Sequence, residues 1–131
     1  MNCPFCSMPD DRIIERNDDG YVIADGFPIS SGHTLIIPHR HIGSWFDSTE
    51  TERSSLLELM SSARQRLQAQ HRPDGFNIGI NDGPAAGQTV PHLHVHLIPR
   101  YCGDLLDPRG GVRRIIPDKA DYWSGDDNDK P

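Results

Sequence analysis

Between residues 92 and 98 the chain reads His92-Leu93-His94-Val95-His96-Leu97-Ile98, with histidines at a spacing of two inside a branched, apolar run. One regular backbone suits that alternation. On an extended strand successive side chains leave opposite faces, so Leu93, Val95 and Leu97 can enter a core while the three histidines share the other face. A helix would scatter the same residues around its circumference. The pattern predicts a strand over Val90–Pro99. Its histidine face has three readings: a solvated stripe, a metal site built from all three imidazoles, or a set of catalytic groups. A metal bound by all three would leave no acid partner nearby for a zinc-bound hydroxide.

The remaining pattern predicts further strands and one helix. Ile13-Ile14 and Tyr21-Val22-Ile23-Ala24 flank Asn17-Asp18-Asp19-Gly20, a turn composition whose glycine can supply positive φ, which predicts a hairpin. A loop from Asp25 to Gly32 leads to a strand at about His33–Ile37. Thr49 and Glu52 have capping-box spacing, and Leu56, Leu57, Met60, Ala63 and Leu67 recur at helical spacing until Pro73. Phe76, Ile78 and Ile80 alternate with polar residues, which predicts another half-buried strand. Strands joined by short turns with one helix apart indicate an α+β, antiparallel fold.

Composition narrows the function. With 13 Lys and Arg against 19 Asp and Glu, the net charge is −6, and no basic block offers a footprint for polymeric nucleic acid. The apolar runs are too short to span a bilayer. Three cysteines, with no apolar leader before them, argue against a secreted disulfide framework and for a cytoplasmic protein.

Immediately before the histidine run lies Gly83-Pro84-Ala85-Ala86-Gly87-Gln88-Thr89. Glycines allow backbone amides to approach an anion closely, and Gln88 and Thr89 carry side-chain donors. A phosphate held beside imidazoles suggests phosphoryl or nucleotidyl transfer. A neutral imidazole can attack phosphorus and form a covalent phosphoramidate, and the middle histidine, His94, has a neighbour on either side to orient it.

The stretch Gly87–Arg100, with His92, His94 and His96 alternating with apolar residues, resembles the signature of the histidine triad (HIT) nucleotide-binding proteins. Upstream, Asp25 and His33, followed by Thr34-Leu35-Ile36-Ile37-Pro38, resemble that family's ribose-binding acid and fourth active-site histidine. The resemblance covers about residues 3–116. Pro99-Arg100-Tyr101, Gly103-Asp104 and Pro108–Val112 are more similar to the Fhit-like, dinucleoside polyphosphate hydrolase branch of bacterial proteins than to the Hint branch.

The resemblance implies a HIT-like fold of about five antiparallel strands and one long helix, a domain over 1–116, and an acidic, flexible tail over 117–131. It implies that His94 is the nucleophile at an α-phosphorus and that His96 and His33 assist it. Asp25 would accept ribose hydroxyls, and Asn81, Gln88 and Thr89 would contact phosphate. His96 stands where transferase branches carry Gln, which favours hydrolysis. A homodimer acting on small nucleotides is implied. Alternatives are a Hint-like phosphoramidase and a zinc-stabilised nucleotide sensor with little turnover.

Cys3-Pro4-Phe5-Cys6 is either a redox pair or half of a zinc site. No predicted strand precedes it, so zinc is favoured. Many bacterial members of the family begin this way, and the resemblance assigns Cys3, Cys6, His41 and His92 to a structural zinc, with His39 as the competitor of His41. Cys102 lies far along the chain and has no assigned role.

Overall fold

The computed structural model describes residues 2–125, and the chain divides into two compact units, Met1–Arg100 and Tyr101–Pro131. In the first unit, β1 (Ile13–Arg16), β2 (Gly20–Ala24), β3 (Thr34–Pro38), β4 (Gly75–Gly79) and β5 (Val95–Arg100) form one antiparallel sheet in the order β1-β2-β3-β5-β4. The helix α1 (Glu50–His71) is inserted between β3 and β4. This is the α+β arrangement that the sequence pattern predicts, with the two strands nearest the functional residues, β3 and β5, paired at the centre.

The sheet buries both faces. On one, Val22, Ile36, Val95 and Leu97 pack against Leu56, Leu59, Ala63 and Leu67 of the helix. On the other, Tyr21, Ile23, Leu35 and Ile37 pack with Ile13 of β1 and are covered by Phe5 and Met8 from the amino-terminal segment. That double cover explains why β2 and β3 are buried almost throughout rather than at alternate positions. Burial of each such Ile, Leu or Val side chain contributes on the order of 1.5–3 kcal/mol relative to exposure.

Three local readings of the sequence are corrected. The helical stripe passes through Leu59, which is 3% exposed, whereas Leu57 is 51% exposed. Leu57 follows Leu56 by one residue, about 100° around the helix, and so leaves the buried face. Gly20 is not a positive-φ turn residue; it is the first residue of β2, where a Cβ would lie 2.6 Å from the Ile37 carbonyl oxygen and 2.8 Å from Leu56. Its role is close approach. Finally, the histidine strand starts at Val95 instead of Val90, because its pairing with β3 ends at Ile36 opposite Val95.

The helix ends are well satisfied. Thr49 and Glu52 form the reciprocal capping box, and Arg72 closes the helix in the left-handed region, donating its N–H to Gln68. Glu52 also receives Arg40 through Nε (3.1 Å) and Nη2 (2.7 Å). The Arg40 guanidinium holds the Glu52 carboxyl at about 2, against burial and with help from Thr49. Just before β3, Gly32 has φ 91°, and a Cβ there would lie 2.8 Å from Leu67 and 3.1 Å from His71.

The second unit contains 3-10 turns at Gly111–Ile115 and Pro117–Lys119. Arg113 donates to the carbonyls of Lys119 and Ala120, and the Arg109 guanidinium lies 4.2 Å from the centre of the Trp123 ring. The expected boundary at 116 therefore falls inside this unit. Residues 126–131 of the expected acidic tail lie outside the described residues.

Candidate active site and metal centre

The approach to β5 is a bent segment rather than a strand. His92 N–H donates to the Val90 carbonyl (2.8 Å) and Leu93 N–H to the Ile42 carbonyl (2.7 Å). As a result the three histidines do not share one environment. His92 is fully buried and turned towards the amino terminus, His94 is 9% exposed, and His96 is half-buried on the strand itself.

Around His92, four ligand atoms converge. Its Nδ1 lies 3.3 Å from Cys3 Sγ, 3.6 Å from Cys6 Sγ and 3.1 Å from His41 Nδ1, and Cys6 Sγ lies 3.2 Å from His41 Nδ1. All four atoms lie within 4.8 Å of one another. Tetrahedral zinc with bonds of about 2.0 Å to nitrogen and 2.3 Å to sulfur sets ligand-to-ligand edges of roughly 3.3–3.8 Å, close to this spacing. The donor chemistry agrees. His92 Nε2 faces the Pro38 carbonyl at 2.8 Å, and a carbonyl only accepts, so Nε2 carries the proton and Nδ1 presents a lone pair to the cluster. Burial lowers the His92 pKa, and His41 and His94 add to that effect, opposed by the Pro38 carbonyl. The residues fit a metal. His39, the competitor of His41, is elsewhere: its Nε2 lies 2.9 Å from the Asn17 carbonyl.

A second set runs through His33, His94 and His96. His94 Nδ1 lies 2.8 Å from the His92 carbonyl, so it is the protonated nitrogen and Nε2 keeps the lone pair. The Ile29 N–H donates to His33 Nδ1 (3.2 Å), which leaves the His33 proton on Nε2. That proton is directed at His96 Nδ1 (2.9 Å) and at Asp25 Oδ2 (3.2 Å). His96 in turn carries its own proton on Nε2. Burial lowers the His33 pKa, opposed by Asp25, and burial followed by the charges of His94 and His33 lowers that of His96. Both rings are therefore neutral at pH 7. Asp25, His33 and His96 form a second group whose ligand atoms could hold a cation.

These residues border a cleft of about 400 Å³ lined by Asp25, Asn81, Thr89, His94 and His96, with an apolar wall that includes Pro4, Phe5 and Met8. Its volume lies within the usual range for small-molecule sites. Asp25 is on the wall of this cleft and also contacts His33, which the sequence did not reveal.

The glycine-rich loop behaves differently from expectation. The amides of Ala86, Gly87 and Gln88 are spent on carbonyls within the loop, and that of Gly83 on the Gln88 side chain. Gln88 Nε2 donates to the carbonyls of Gly43 (2.8 Å) and Val90 (3.2 Å), so Gln88 ties the loop down and does not line the cleft. Asp82 fastens the same region by accepting from Ser44 Oγ and Trp45 N–H, both at 3.0 Å. Sequence reasoning also missed Phe5. Its ring is edge-on to His92 (5.7 Å) and His94 (5.1 Å), and its carbonyl accepts from the Tyr21 hydroxyl at 2.6 Å. The available signal was its place between the two cysteines.

The geometry has counterparts among known proteins. The HIT domain family model matches residues 8–103. The chain is 34% identical over 116 residues to a bis(5'-adenosyl)-triphosphatase of Saccharomyces cerevisiae, covering 88% of this chain and 53% of that one. It is 32% identical over 122 residues to an AP-4-A phosphorylase of Mycobacterium tuberculosis, covering 87% of this chain and 62% of that one. The chain thus spans little more than half the length of these two relatives. Among solved structures, a zinc-bound histidine triad family protein from Mycobacterium smegmatis superimposes with a TM-score of 0.65 at 36% identity, over 80% of this chain and 79% of that one. No helix among the described residues is long and apolar enough to cross a membrane. By its sequence motif, its fold and the extent of these matches, the chain belongs to the HIT domain family.

Proposed function

We propose that this protein is an enzyme that cleaves dinucleoside polyphosphates at the α-phosphorus through a nucleotidyl-histidine. The observation that carries this reading is the fixed tautomer of His94. With Nδ1–H bound to the His92 carbonyl, the lone pair on Nε2 is available as nucleophile. In the first step the Nε2 lone pair bonds to phosphorus as the P–O bond breaks, and the bond electrons leave with the distal phosphate. His96 Nε2–H would hydrogen-bond an oxygen of the reacting phosphate, backed by the His33 proton on its other nitrogen. Water then attacks phosphorus and gives up one proton to solvent, the P–N electrons return to Nε2, and the nucleoside monophosphate departs. Asp25 would accept ribose hydroxyls with its free lone pairs, and Asn81 and Thr89 would contact phosphate.

The metal we assign to Cys3, Cys6, His41 and His92 is zinc in a structural role. Four protein ligands would complete a tetrahedral set with no position for water, so the ion would supply cross-linking rather than chemistry. The same reading takes the protein as a cytoplasmic homodimer.

The test is mass spectrometry of the purified protein after exposure to dinucleoside polyphosphates and adenosine phosphoramidates, with and without inorganic phosphate. The expected result is a nucleotidyl adduct on His94 and release of the monophosphate. An adduct on another histidine would refute the mechanism, preferential cleavage of the amides would move the protein to the phosphoramidase reading, and diphosphate formed only with phosphate present would identify a phosphorylase. AMP binding without turnover of any tested nucleotide would identify a sensor.

A further inference from the structure

We infer that Phe5 is a positioning residue through which the metal centre and the nucleotide cleft are energetically coupled, so that each ligand tightens the binding of the other. The inference rests on the nucleotide reading above. Four observations meet in this residue. Phe5 lies between Cys3 and Cys6, whose sulfurs converge with His41 and His92. Its ring packs edge-on against both the metal-facing His92 and the cleft-facing His94. With Pro4 and Met8 it forms an apolar wall of the cleft. Residues 2–9 contain no strand or helix, so no ladder fixes that wall.

Phe5 and Met8 pack on Tyr21, Ile23, Leu35 and Ile37, but few backbone hydrogen bonds hold the segment. Its own turn is the Cys6 N–H to Cys3 carbonyl bond at 3.2 Å, and the Tyr21 hydroxyl holds the Phe5 carbonyl at 2.6 Å. A metal bound by both flanking cysteines removes most of the remaining freedom of Pro4 and Phe5. Without it, a nucleotide that packs against this wall must supply the ordering free energy itself, and its affinity falls accordingly. Linkage makes the effect reciprocal: if metal raises nucleotide affinity by a given factor, nucleotide raises metal affinity by the same factor. Couplings of this kind are typically about 5- to 150-fold, and an effect of about tenfold is expected here.

The experiment compares AMP binding, by calorimetry, to the zinc-loaded and the chelator-stripped protein, and zinc affinity, by competition with a chromophoric chelator, with and without AMP. About tenfold tighter AMP binding in the loaded protein, mirrored by about tenfold tighter zinc binding with AMP, supports the inference. A loaded Phe5→Ala protein should retain one zinc yet bind AMP about tenfold more weakly, raising KM more than it lowers kcat, with Phe5→Leu restoring part of the loss. Equal AMP affinity with and without zinc overturns the inference alone. If stripping unfolds the protein, the loaded Phe5→Ala protein decides: wild-type AMP affinity with full zinc overturns it. Failure of the loaded wild type to bind AMP would overturn the functional reading and this inference together.

Discussion

His92 and His94 stand two residues apart and are both buried, yet they sit in different surroundings. In each ring one nitrogen is protonated and faces a carbonyl: Nε2 of His92 faces Pro38, and Nδ1 of His94 faces His92 itself. The free lone pair is therefore on opposite ring positions. On His92 it meets two sulfurs and another imidazole, and on His94 it is the nitrogen left for the cleft. A backbone carbonyl thus decides which histidine is suited to be a ligand and which a nucleophile.

The comparison breaks most readily at His94. Replacing it by Ala should lower turnover by about 10³-fold or more, as for loss of a covalent nucleophile, while AMP affinity stays within a few-fold. Steady-state kinetics and calorimetry on the same preparation check this. On the metal side, Cys3→Ser should reduce zinc content from one per chain to near zero, whereas His39→Ala should leave it unchanged; elemental analysis separates these outcomes. A smaller effect is expected from His33→Ala. It removes the proton that orients His96, and misplacement of that ring should cost about 10- to 100-fold in kcat with zinc retained.

The pH dependence sharpens the contrast further. His33 and His96 have pKa values pushed below the usual 6.5 by burial. The unfolded chain takes up protons near 6.5 that the folded one refuses, so stability is full above that pH and declines as pH falls through it. Imidazole NMR titration should find both rings neutral at pH 7, and a midpoint for either at or above 6.5 would contradict their burial. The smallest effect is expected at the helix cap. Thr49→Ala removes the helix cap and should cost about 1 kcal/mol by denaturant unfolding without altering zinc content.

The strands and the helix limits were legible because they depend on periodicity, and the residues that meet around His92 and at the cleft were legible through the resemblance to the family. Phase and hydrogen-bond destination were not legible. Leu57 and Leu59 each fit helical spacing with parts of the same stripe, and only the packed partner selects Leu59. The glycine-rich loop has the composition of an anion cradle, yet four of its amides are consumed within the loop, a pairing that composition does not encode. Gln88, polar and adjacent to the motif, has the look of a phosphate donor in the sequence. Its actual acceptors include Gly43, remote in sequence. The His33–Asp25 contact was hidden for a related reason: a separation of eight residues gives no hint that the intervening loop folds back to bring them to 3.2 Å.

Gly32 has a consequence for how mutational data on this protein would read. Its φ of 91° disfavours every L side chain, and a Cβ would also meet Leu67 at 2.8 Å and Pro99 at 3.2 Å. In a saturation library scored by survival or activity, position 32 should tolerate glycine alone and rank beside His33, its neighbour. A map built on such scores would mark both as functional. Only a stability readout would separate them, because one position is closed by the shape of the fold and the other by the chemistry we propose for it.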